Sequence, residues 1–215
     1  MYLEFCNYNS SHYKNTESQT RDIFDAVSIG FHAVGIPQYL LKQVCTFLSD
    51  TTVDVAVPID FPTGTSDKKV REHEVLVCLK RGADFIDVPI NPYLIKDRKY
   101  DSIEKEIKTF SRMCADYGSE LRIMLQHNLY PMSESMAIAR LAQDLGVNYI
   151  LPASGFHNDD IYDNLLLCSN IEQKTNINTI CNGHIWLEKQ YNSVIRANIF
   201  GLRVYSLNLF STFSV

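Results

Sequence analysis

Residues able to move a proton or bind a metal occur in or just after the predicted β-strands of this sequence. Asp87 lies within one short apolar run, Gln126-His127 ends another, and His157 and His184 follow two later runs. A carboxylate or a neutral imidazole can act as a general base, and together they could hold a metal ion. Neither His-x-His nor His-Glu-x-x-His spacing occurs. We therefore predict a candidate base at Asp87 or at a histidine, no metal site and no cofactor.

Lysine carries covalent carbonyl chemistry, so its placement along the chain is informative. An amine that attacks a carbonyl has to be neutral, and burial or a neighbouring cation favours that state. The chain has eleven lysines, and every one falls in a predicted loop or helix rather than at the end of a predicted strand. We expect all of them to lie on the solvated surface.

The elements that must position these residues alternate regularly along the chain. Helices with apolar stripes separate short β-rich runs that are apolar without strict alternation, which is typical of a parallel sheet buried on both faces. The strands are predicted at residues 2–8, 31–36, 53–59, 85–90, 120–126, 149–156, 176–181 and 202–206. The helices are predicted at residues 21–29, 40–48, 66–81, 101–117, 138–145, 159–174 and 186–198.

Eight such units predict a closed (β/α)8 TIM barrel, an α/β fold, as a single domain over residues 1–215. The competing fold is an open doubly wound sheet, but no Gly-x-Gly-x-x-Gly follows the first strand. Residues 10–20 are predicted to form a loop. Ser66 is the predicted N-cap of the third helix, and glycines predicted to end helices follow three of them. These are Gly82, Gly118 and Gly146.

The C-terminal unit is predicted to be shortened, because only residues 207–215 follow the eighth strand. Leu209, Phe210, Phe213 and Val215 make this end too apolar for a free tail. One interpretation is a short helix packed across the barrel. The other is a contact that docks on another subunit.

Composition narrows the classes of partner. The net charge is −5 and 46% of the residues are hydrophobic, which is ordinary for a globular protein and gives no basic surface for nucleic acid or for a membrane. No apolar run approaches about 18 residues, and the N-terminus lacks a signal pattern. The six cysteines are widely spaced without Cys-x-x-Cys, so we expect reduced core thiols in a cytoplasmic protein.

Three stretches resemble strand motifs of the deoxyribose-phosphate aldolase family. They are residues 57–65 (VPIDFPTGT), 82–91 (GADFIDVPIN) and 149–156 (YILPASGF), which are similar to the family's third, fourth and sixth strands, and the likeness covers residues 21–206. The resemblance implies a TIM barrel with a class I aldolase site where the strands end. An aldolase of this class binds its substrate through a lysine imine.

This sequence differs from the family at positions that the resemblance matches to catalytic residues. It places Asp87 at the family's proton-relay aspartate, Leu151 at its Schiff-base lysine and Thr179 at its second lysine. Leucine cannot form an imine, and threonine cannot supply the second cation. The implied site therefore retains one carboxylate and has lost both amines.

The phosphate-binding elements implied by the resemblance are changed as well. Asn182-Gly183 stands where the family has two glycines, and Ser206 is followed by Leu207 instead of small residues. Backbone amides cradle a phosphate only where small residues allow close approach. The candidate ligand pocket comprises Asn7, Gln126, His127, Ser154, Gly155, Asn182, Gly183 and Ser206.

Three hypotheses for function follow. The first is a barrel without Schiff-base aldolase activity that serves as a binding or structural subunit, as a homo-oligomer or in a larger protein complex. The second is an enzyme that uses the same barrel for other carbonyl or sugar-phosphate chemistry, with Asp87 or a histidine as base. The third is a divergent true aldolase, which would need a lysine elsewhere.

Overall fold

Eight parallel strands close into a barrel in the computed structural model, which describes residues 1–8, 14–156 and 160–208. Each strand pairs with its neighbours in chain order, and β8 pairs with β1. The strands are β1 Tyr2–Cys6, β2 Ala33–Gly35, β3 Asp54–Pro58, β4 Phe85–Pro89, β5 Glu120–Met124, β6 Tyr149–Leu151, β7 Asn178–Asn182 and β8 Gly201–Val204. The predicted (β/α)8 barrel is confirmed.

Helices cover the outside of the barrel. They are α1 Thr16–Ile29, α2 Leu41–Leu48, α3 Lys68–Lys80, α4 Pro92–Lys96, α5 Tyr100–Asp116, α6 Met132–Asp144, α7 Ile161–Lys174 and α8 Glu188–Arg196, with 3-10 turns at Gln38–Leu40 and His127–Leu129. On α5, Ile103, Ile107, Phe110 and Cys114 of the predicted stripe are buried, as their helical spacing requires. Its fifth predicted member, Tyr117, is 46% exposed, because it caps the helix beyond its last turn. No helix within the described ranges has the length and apolarity needed to cross a bilayer.

Several predicted boundaries are wrong for identifiable reasons. Helix α1 begins at Thr16 inside the predicted loop, because the Asn15 side chain accepts a hydrogen bond from the Ser18 amide at 2.9 Å. The N-cap of α3 is Asp67, which accepts from the Lys69 amide at 2.8 Å. Ser66 instead donates its hydroxyl to Asp60 at 2.7 Å. In both helices a single polar side chain that caps the first turn sets the start.

Other predictions at the helix ends and in the core are confirmed. Gly82, Gly118 and Gly146 have positive φ angles at the ends of α3, α5 and α6, which glycine adopts without a steric penalty. All six cysteines are free thiols, and five of them are buried. The predicted apolar end at 209–215 lies outside the described residues, as do His157 and Asp159.

The barrel interior contains an apolar cluster. Met124 and Leu151, the last residues of β5 and β6, pack with Ile180 of β7, and all three are buried. Tyr8 and Phe61, from the loops after β1 and β3, pack against this cluster. Tyr2, Tyr149 and Phe200, from the end where strands begin, also pack on it, so the apolar cluster reaches both ends of the barrel. We call the end where the strands terminate the barrel mouth.

Candidate functional site

Asp87 lies at the centre of the barrel in a network of four charged side chains, the barrel-centre quartet: Glu4, Asp87, Arg122 and Arg203. Arg122 contacts Asp87 at 2.6 Å and Glu4 at 2.8 Å. Arg203 contacts Asp87 at 2.6 Å and Glu4 at 2.7 Å. All four side chains have 0% exposure. Glu4, Asp87, Arg122 and Arg203 come from β1, β4, β5 and β8 respectively, so the quartet ties together distant parts of the sheet.

This environment makes Asp87 a structural anion. Burial by itself would raise its pKa, but the attraction of Arg122 and Arg203 outweighs burial and holds the pKa below the ordinary value. The Tyr8 hydroxyl donates to the same carboxylate at 3.1 Å, and burial raises the pKa of Tyr8 well above its usual range. A general base works best with a pKa near the working pH. Asp87 is therefore a poor candidate base.

Sequence reasoning missed three of the four members of this quartet. Glu4, Arg122 and Arg203 each stand inside a short strand that is otherwise apolar, apart from Glu120 at the start of β5. A charge at such a position on one strand is unusual. Two charges of each sign on four strands are a signal that the positions pair inside the barrel.

The predicted nucleophile position, Leu151, has no lysine substitute inside the barrel. Leu151 has 0% exposure and packs on Met124 and Ile180. The structure describes every lysine of the chain, and each one is exposed. They are Lys14, Lys42, Lys68, Lys69, Lys80, Lys96, Lys99, Lys105, Lys108, Lys174 and Lys189. The predicted surface location of all eleven lysines is thus confirmed.

Thr179, the position matched to the second lysine, faces away from the barrel interior. In the parallel register it pairs with Ile150, so it lies on the opposite face from Leu151. Its hydroxyl donates to Glu172 of α7 at 2.7 Å. The β7 side chain that packs with Leu151 is Ile180. A lysine at position 179 would therefore point into the helix layer.

A chain of polar side chains joins His127 to Asn182. His127 Nε2 lies 2.6 Å from Asn164 Oδ1 on α7, and Asn164 donates its amide to the carbonyl of Asn182. The Asn182 amide donates to the carbonyl of Ala153 at 2.8 Å and to Tyr205 at 2.9 Å. Because the Asn164 nitrogen faces a carbonyl, its oxygen faces His127, so His127 carries its proton on Nε2. Asn164, which is fully buried, was not predicted.

Gln126 and an aromatic wall complete the barrel mouth. Gln126 adopts a left-handed conformation at φ 51° and donates its amide to the carbonyl of Pro62. The ring of Phe61 meets the rings of Tyr8 at 5.0 Å and Phe156 at 6.0 Å, both edge to face. Edge-to-face contacts favour a fixed arrangement of rings. Tyr8, Phe61 and Phe156 are called the aromatic wall below.

The other pocket candidates serve local structure. Asn7 is buried and donates to the Gln19 carbonyl of α1 at 3.4 Å. Ser154 accepts from the Phe156 amide at 3.2 Å, and the exposed Ser206 accepts from the Asn208 amide at 3.3 Å. Gly155, with φ 74°, forms the turn between Ser154 and Phe156. These are turn-stabilising contacts.

The loop between β7 and α8 is packed and internally capped. A side chain on Gly183 would meet Ile161 at 3.2 Å and Asn164 at 3.3 Å. The amides of Trp186 and Leu187 both donate to Gln190, at 2.9 and 3.0 Å. Amides at a helix start are the groups that would hold a phosphate. Here a glutamine side chain of the same helix already binds two of them.

A second buried ionic group, the Arg71 cluster, holds the loop after β3. Arg71 contacts Asp60 at 3.2 Å and Glu106 at 2.6 Å, and donates to the carbonyl of Pro89 at 2.6 Å. Gly64 lies in this loop with φ 67°, and a side chain there would come within 2.4 Å of the Pro89 oxygen. Burial raises the pKa of Glu106, and Arg71 opposes that shift only in part.

The candidate metal ligands lie apart where they are described. His127 bonds to Asn164, and His184 stacks on Trp186 at 5.3 Å. Within residues 1–8, 14–156 and 160–208, no three His, Cys, Asp or Glu side chains come together as a metal site would require. His157 lies outside these ranges.

Comparisons with known proteins find deoxyribose-phosphate aldolases among the curated relatives and among the solved structures. No protein-family model matches the chain. A deoxyribose-phosphate aldolase from Thermococcus gammatolerans is 28% identical over 134 residues, 61% of this chain and 60% of that protein. Another, from Metamycoplasma hominis, is 29% identical over 134 residues, 62% of this chain and 61% of that protein. The matched region thus spans about three fifths of these relatives.

A solved structure agrees in fold. The deoxyribose phosphate aldolase from Aeropyrum pernix, described as a unique tetrameric structure, superposes with a TM-score of 0.84 at 15% identity. The superposition covers 98% of this chain and 89% of that one. At this identity the likeness concerns the architecture of the barrel.

Proposed function

We propose that this chain, a divergent homologue of deoxyribose-phosphate aldolases, does not carry out Schiff-base chemistry and acts as a binding or structural subunit. The observation that carries the proposal is the exposure of all eleven lysines, together with a buried leucine at position 151. A lysine nucleophile needs a site that favours its neutral amine and holds the substrate carbonyl beside it. An exposed side chain on the helix layer has neither.

The contacts at the barrel mouth also argue against a phosphorylated substrate. Gln190 occupies two amides at the start of α8, and the two arginines inside the barrel are paired with carboxylates. An anionic substrate gains most from donors that are free to turn towards it. We therefore expect weak affinity for sugar phosphates.

Exposed aromatic residues support a role in assembly. Trp186, Tyr93 and Tyr39 are 74%, 67% and 63% exposed, and aromatic side chains are enriched at protein interfaces. The Aeropyrum pernix relative is described as a tetramer. A cytoplasmic homo-oligomer or a subunit of a larger complex remains the prediction, and the apolar end at 209–215 is its predicted contact.

Borohydride trapping tests the chemistry. The purified chain is incubated with deoxyribose 5-phosphate or acetaldehyde and borohydride, and adducts are located by mass spectrometry, with the Thermococcus gammatolerans aldolase as positive control. We expect no lysine to be modified above the background of a reaction without aldehyde. Modification of one lysine in most molecules, with retro-aldol turnover, would contradict the proposal.

Light scattering after size-exclusion chromatography tests the assembly role. We expect a mass above that of one 24.6 kDa chain, and a fall towards monomer when Trp186→Ala removes an exposed contact residue. Tyr117→Ala, also exposed but at the C-terminal cap of α5, is the matched control. A strict monomer that retains no partner from its source would leave the subunit role without support.

One observation favours the second hypothesis, in which the barrel carries out other carbonyl chemistry. In a neutral His127 ring the Asn164 contact places the proton on Nε2, which leaves Nδ1 as the acceptor. His127 is therefore a better candidate base than Asp87. The test follows the exchange of a substrate's carbon-bound proton for deuterium. Exchange that is lost in His127→Gln but kept in the control His73→Gln, at an exposed position on α3, would establish this alternative.

A further inference from the structure

Three buried amide oxygens near the strand ends have no hydrogen-bond partner within residues 1–8, 14–156 and 160–208: Oδ1 of Asn7, Oε1 of Gln126 and Oδ1 of Asn182. The last two flank the end of β6 and belong to residues that are 2% and 0% exposed. In each residue the nitrogen donates to a main-chain carbonyl, that of Pro62 or that of Ala153. These contacts fix which end of each amide is the oxygen. Both free atoms are therefore acceptors, and a group that fills the site has to bring donors.

An unpartnered buried acceptor is costly, by about 1–3 kcal/mol each. Native proteins usually satisfy such groups with water or a bound molecule. Two acceptors of the same kind, on β7 and just after β5, lie on either side of the end of β6. A single occupant over the end of β6 that brings two donors would satisfy both acceptors.

The surroundings specify the rest of that occupant. Leu151, Met124 and Ile180 form an apolar floor, and Tyr8 and Phe61 of the aromatic wall pack on it. Phe156 continues the wall at the rim, where it is 59% exposed. Flat aromatic and aliphatic surfaces bind the apolar face of a ring. The site thus combines an apolar face with two hydrogen-bond acceptors.

The charges near the site disfavour an anion. Arg122 and Arg203 are each paired with two carboxylates in the barrel-centre quartet. Every lysine is exposed on the outside of the molecule. Free carbonyl oxygens repel a negatively charged group that brings no donors.

We propose that the barrel mouth binds an uncharged ring compound carrying hydroxyl or amino donors. Gln126 and Asn182 accept its hydrogen bonds, and the aromatic wall contacts its apolar face. The proposal deepens the proposed function and rests on it, because it assumes that the site binds without forming an imine. Nucleosides and free sugars share this chemistry, and the test below separates them.

The test measures binding to the full chain by isothermal titration calorimetry, with fluorescence of Trp186, the sole tryptophan, as a second readout. The probes are adenosine, uridine and free 2-deoxyribose, each compared with its 5-phosphate or 5′-monophosphate. We expect an uncharged probe to bind at least tenfold more tightly than its phosphorylated form. Binding by the nucleosides alone identifies the aromatic-ring class, and binding by the sugar identifies the polyol class.

Variants then assign the contacts. Gln126→Met keeps the length of the side chain but removes the acceptor, and we expect at least a tenfold loss of affinity. Gln43→Met, on the exposed face of α2, is the control and should bind as wild type. If Gln126→Met fails to fold, Phe156→Ala at the exposed rim tests the same site and should weaken binding several-fold.

Several outcomes would overturn this inference. They are no binding of any uncharged probe at millimolar concentration, equal or tighter binding of the phosphorylated forms, and wild-type affinity in both variants. If no probe binds and a high-resolution crystal structure shows water hydrogen-bonded to both amide oxygens, then water alone fills the site. If no probe binds as expected, the result of the borohydride experiment still stands. If borohydride traps a lysine, the proposed function is wrong, and probe binding is then interpreted separately.

Discussion

The barrel-centre quartet and the Arg71 cluster are built from the same chemical groups in different proportions. In the quartet, two guanidiniums face two carboxylates, and each carboxylate oxygen lies within 3.1 Å of a guanidinium nitrogen. In the Arg71 cluster, one guanidinium is shared by Asp60 and Glu106, and one Glu106 oxygen has no hydrogen-bond partner in the part of the chain that the structure describes. The first cluster is balanced in charge and the second is not.

The pKa directions of the carboxylates follow this difference. Asp87, with 0% exposure, has a lowered pKa, whereas Glu106, with 7% exposure, has a raised one. The more deeply buried group is thus the more acidic. Balance between cations and anions, rather than depth of burial, decides whether a buried carboxyl group stays ionised in this protein.

The largest effect is expected from unbalancing the quartet. Arg122→Met leaves Glu4 and Asp87 to share Arg203, and an uncompensated buried charge costs about 3–5 kcal/mol. The free energy of unfolding in urea measures this. Arg112→Met, exposed on α5, is the matched control and should change stability by less than about 0.5 kcal/mol.

A second substitution sharpens the result. Adding Glu4→Gln to Arg122→Met restores charge balance, since one cation and one anion then remain. We expect the double variant to be more stable than Arg122→Met alone. If it is less stable by the sum of the two single effects, the members of the quartet act independently and charge balance is not the cause.

A smaller loss is expected at the unbalanced cluster. Arg71→Met should cost about 2–3 kcal/mol, because Glu106 can take up a proton more easily than a fully ion-paired carboxylate can. Asp60 also keeps its contacts with the amide and hydroxyl of Ser66, at 2.8 and 2.7 Å. Urea unfolding at pH 7 measures the cost. A loss larger than that of Arg122→Met would reverse the ranking of the two clusters.

Acid should destabilise the protein through the quartet. Asp87 has a lower pKa in the folded protein than its ordinary value of 3.8, so its stabilising contribution is present above pH 3.8 and is lost as the pH falls through the folded pKa. Urea unfolding from pH 5 to pH 2 should show this loss. Carbon NMR of the Asp87 carboxyl group assigns it, and titration of this group at or above pH 3.8 would contradict the expectation.

Glu106 should give the smallest effect and the opposite sign. Its folded pKa is raised above the ordinary value of 4.5, so its favourable contribution is complete below pH 4.5 and declines as the pH rises through the folded pKa. Compared with Glu106→Gln, the wild type should therefore lose relative stability over that window. Glu104→Gln, on the same helix and outside the cluster, is the control. A wild-type advantage that grows with pH would contradict the raised pKa.

Much of the fold was predictable because its causes are local. Apolar stripes at helical spacing, as on α5, and glycines such as Gly82 and Gly146 at positive φ marked the units and their ends. The start of α1 and the short α4 were not predicted. Their first residues are set by single side-chain contacts, from Asn15 and Asn91, to nearby amides, and composition over a window does not report these.

The site was less predictable because its partners are far apart in the chain. Arg203 meets Asp87 across 116 positions, and Asn164 on α7 connects His127 to Asn182. The side to which Thr179 points depends on strand register, which a sequence motif does not fix. The motifs therefore located the mouth of the barrel, but they did not predict the side-chain contacts within it.

The order of charges in the quartet has a consequence for folding. Both carboxylates, Glu4 and Asp87, come from β1–β4, and both guanidiniums, Arg122 and Arg203, come from β5–β8. Each half-barrel alone would bury two like charges near its centre. These charges are neutralised only when the other half binds. Closure and charge neutralisation thus coincide, which favours one cooperative folding step over an independently stable half. Fragments cut between β4 and β5 should associate with each other in preference to a second copy of themselves.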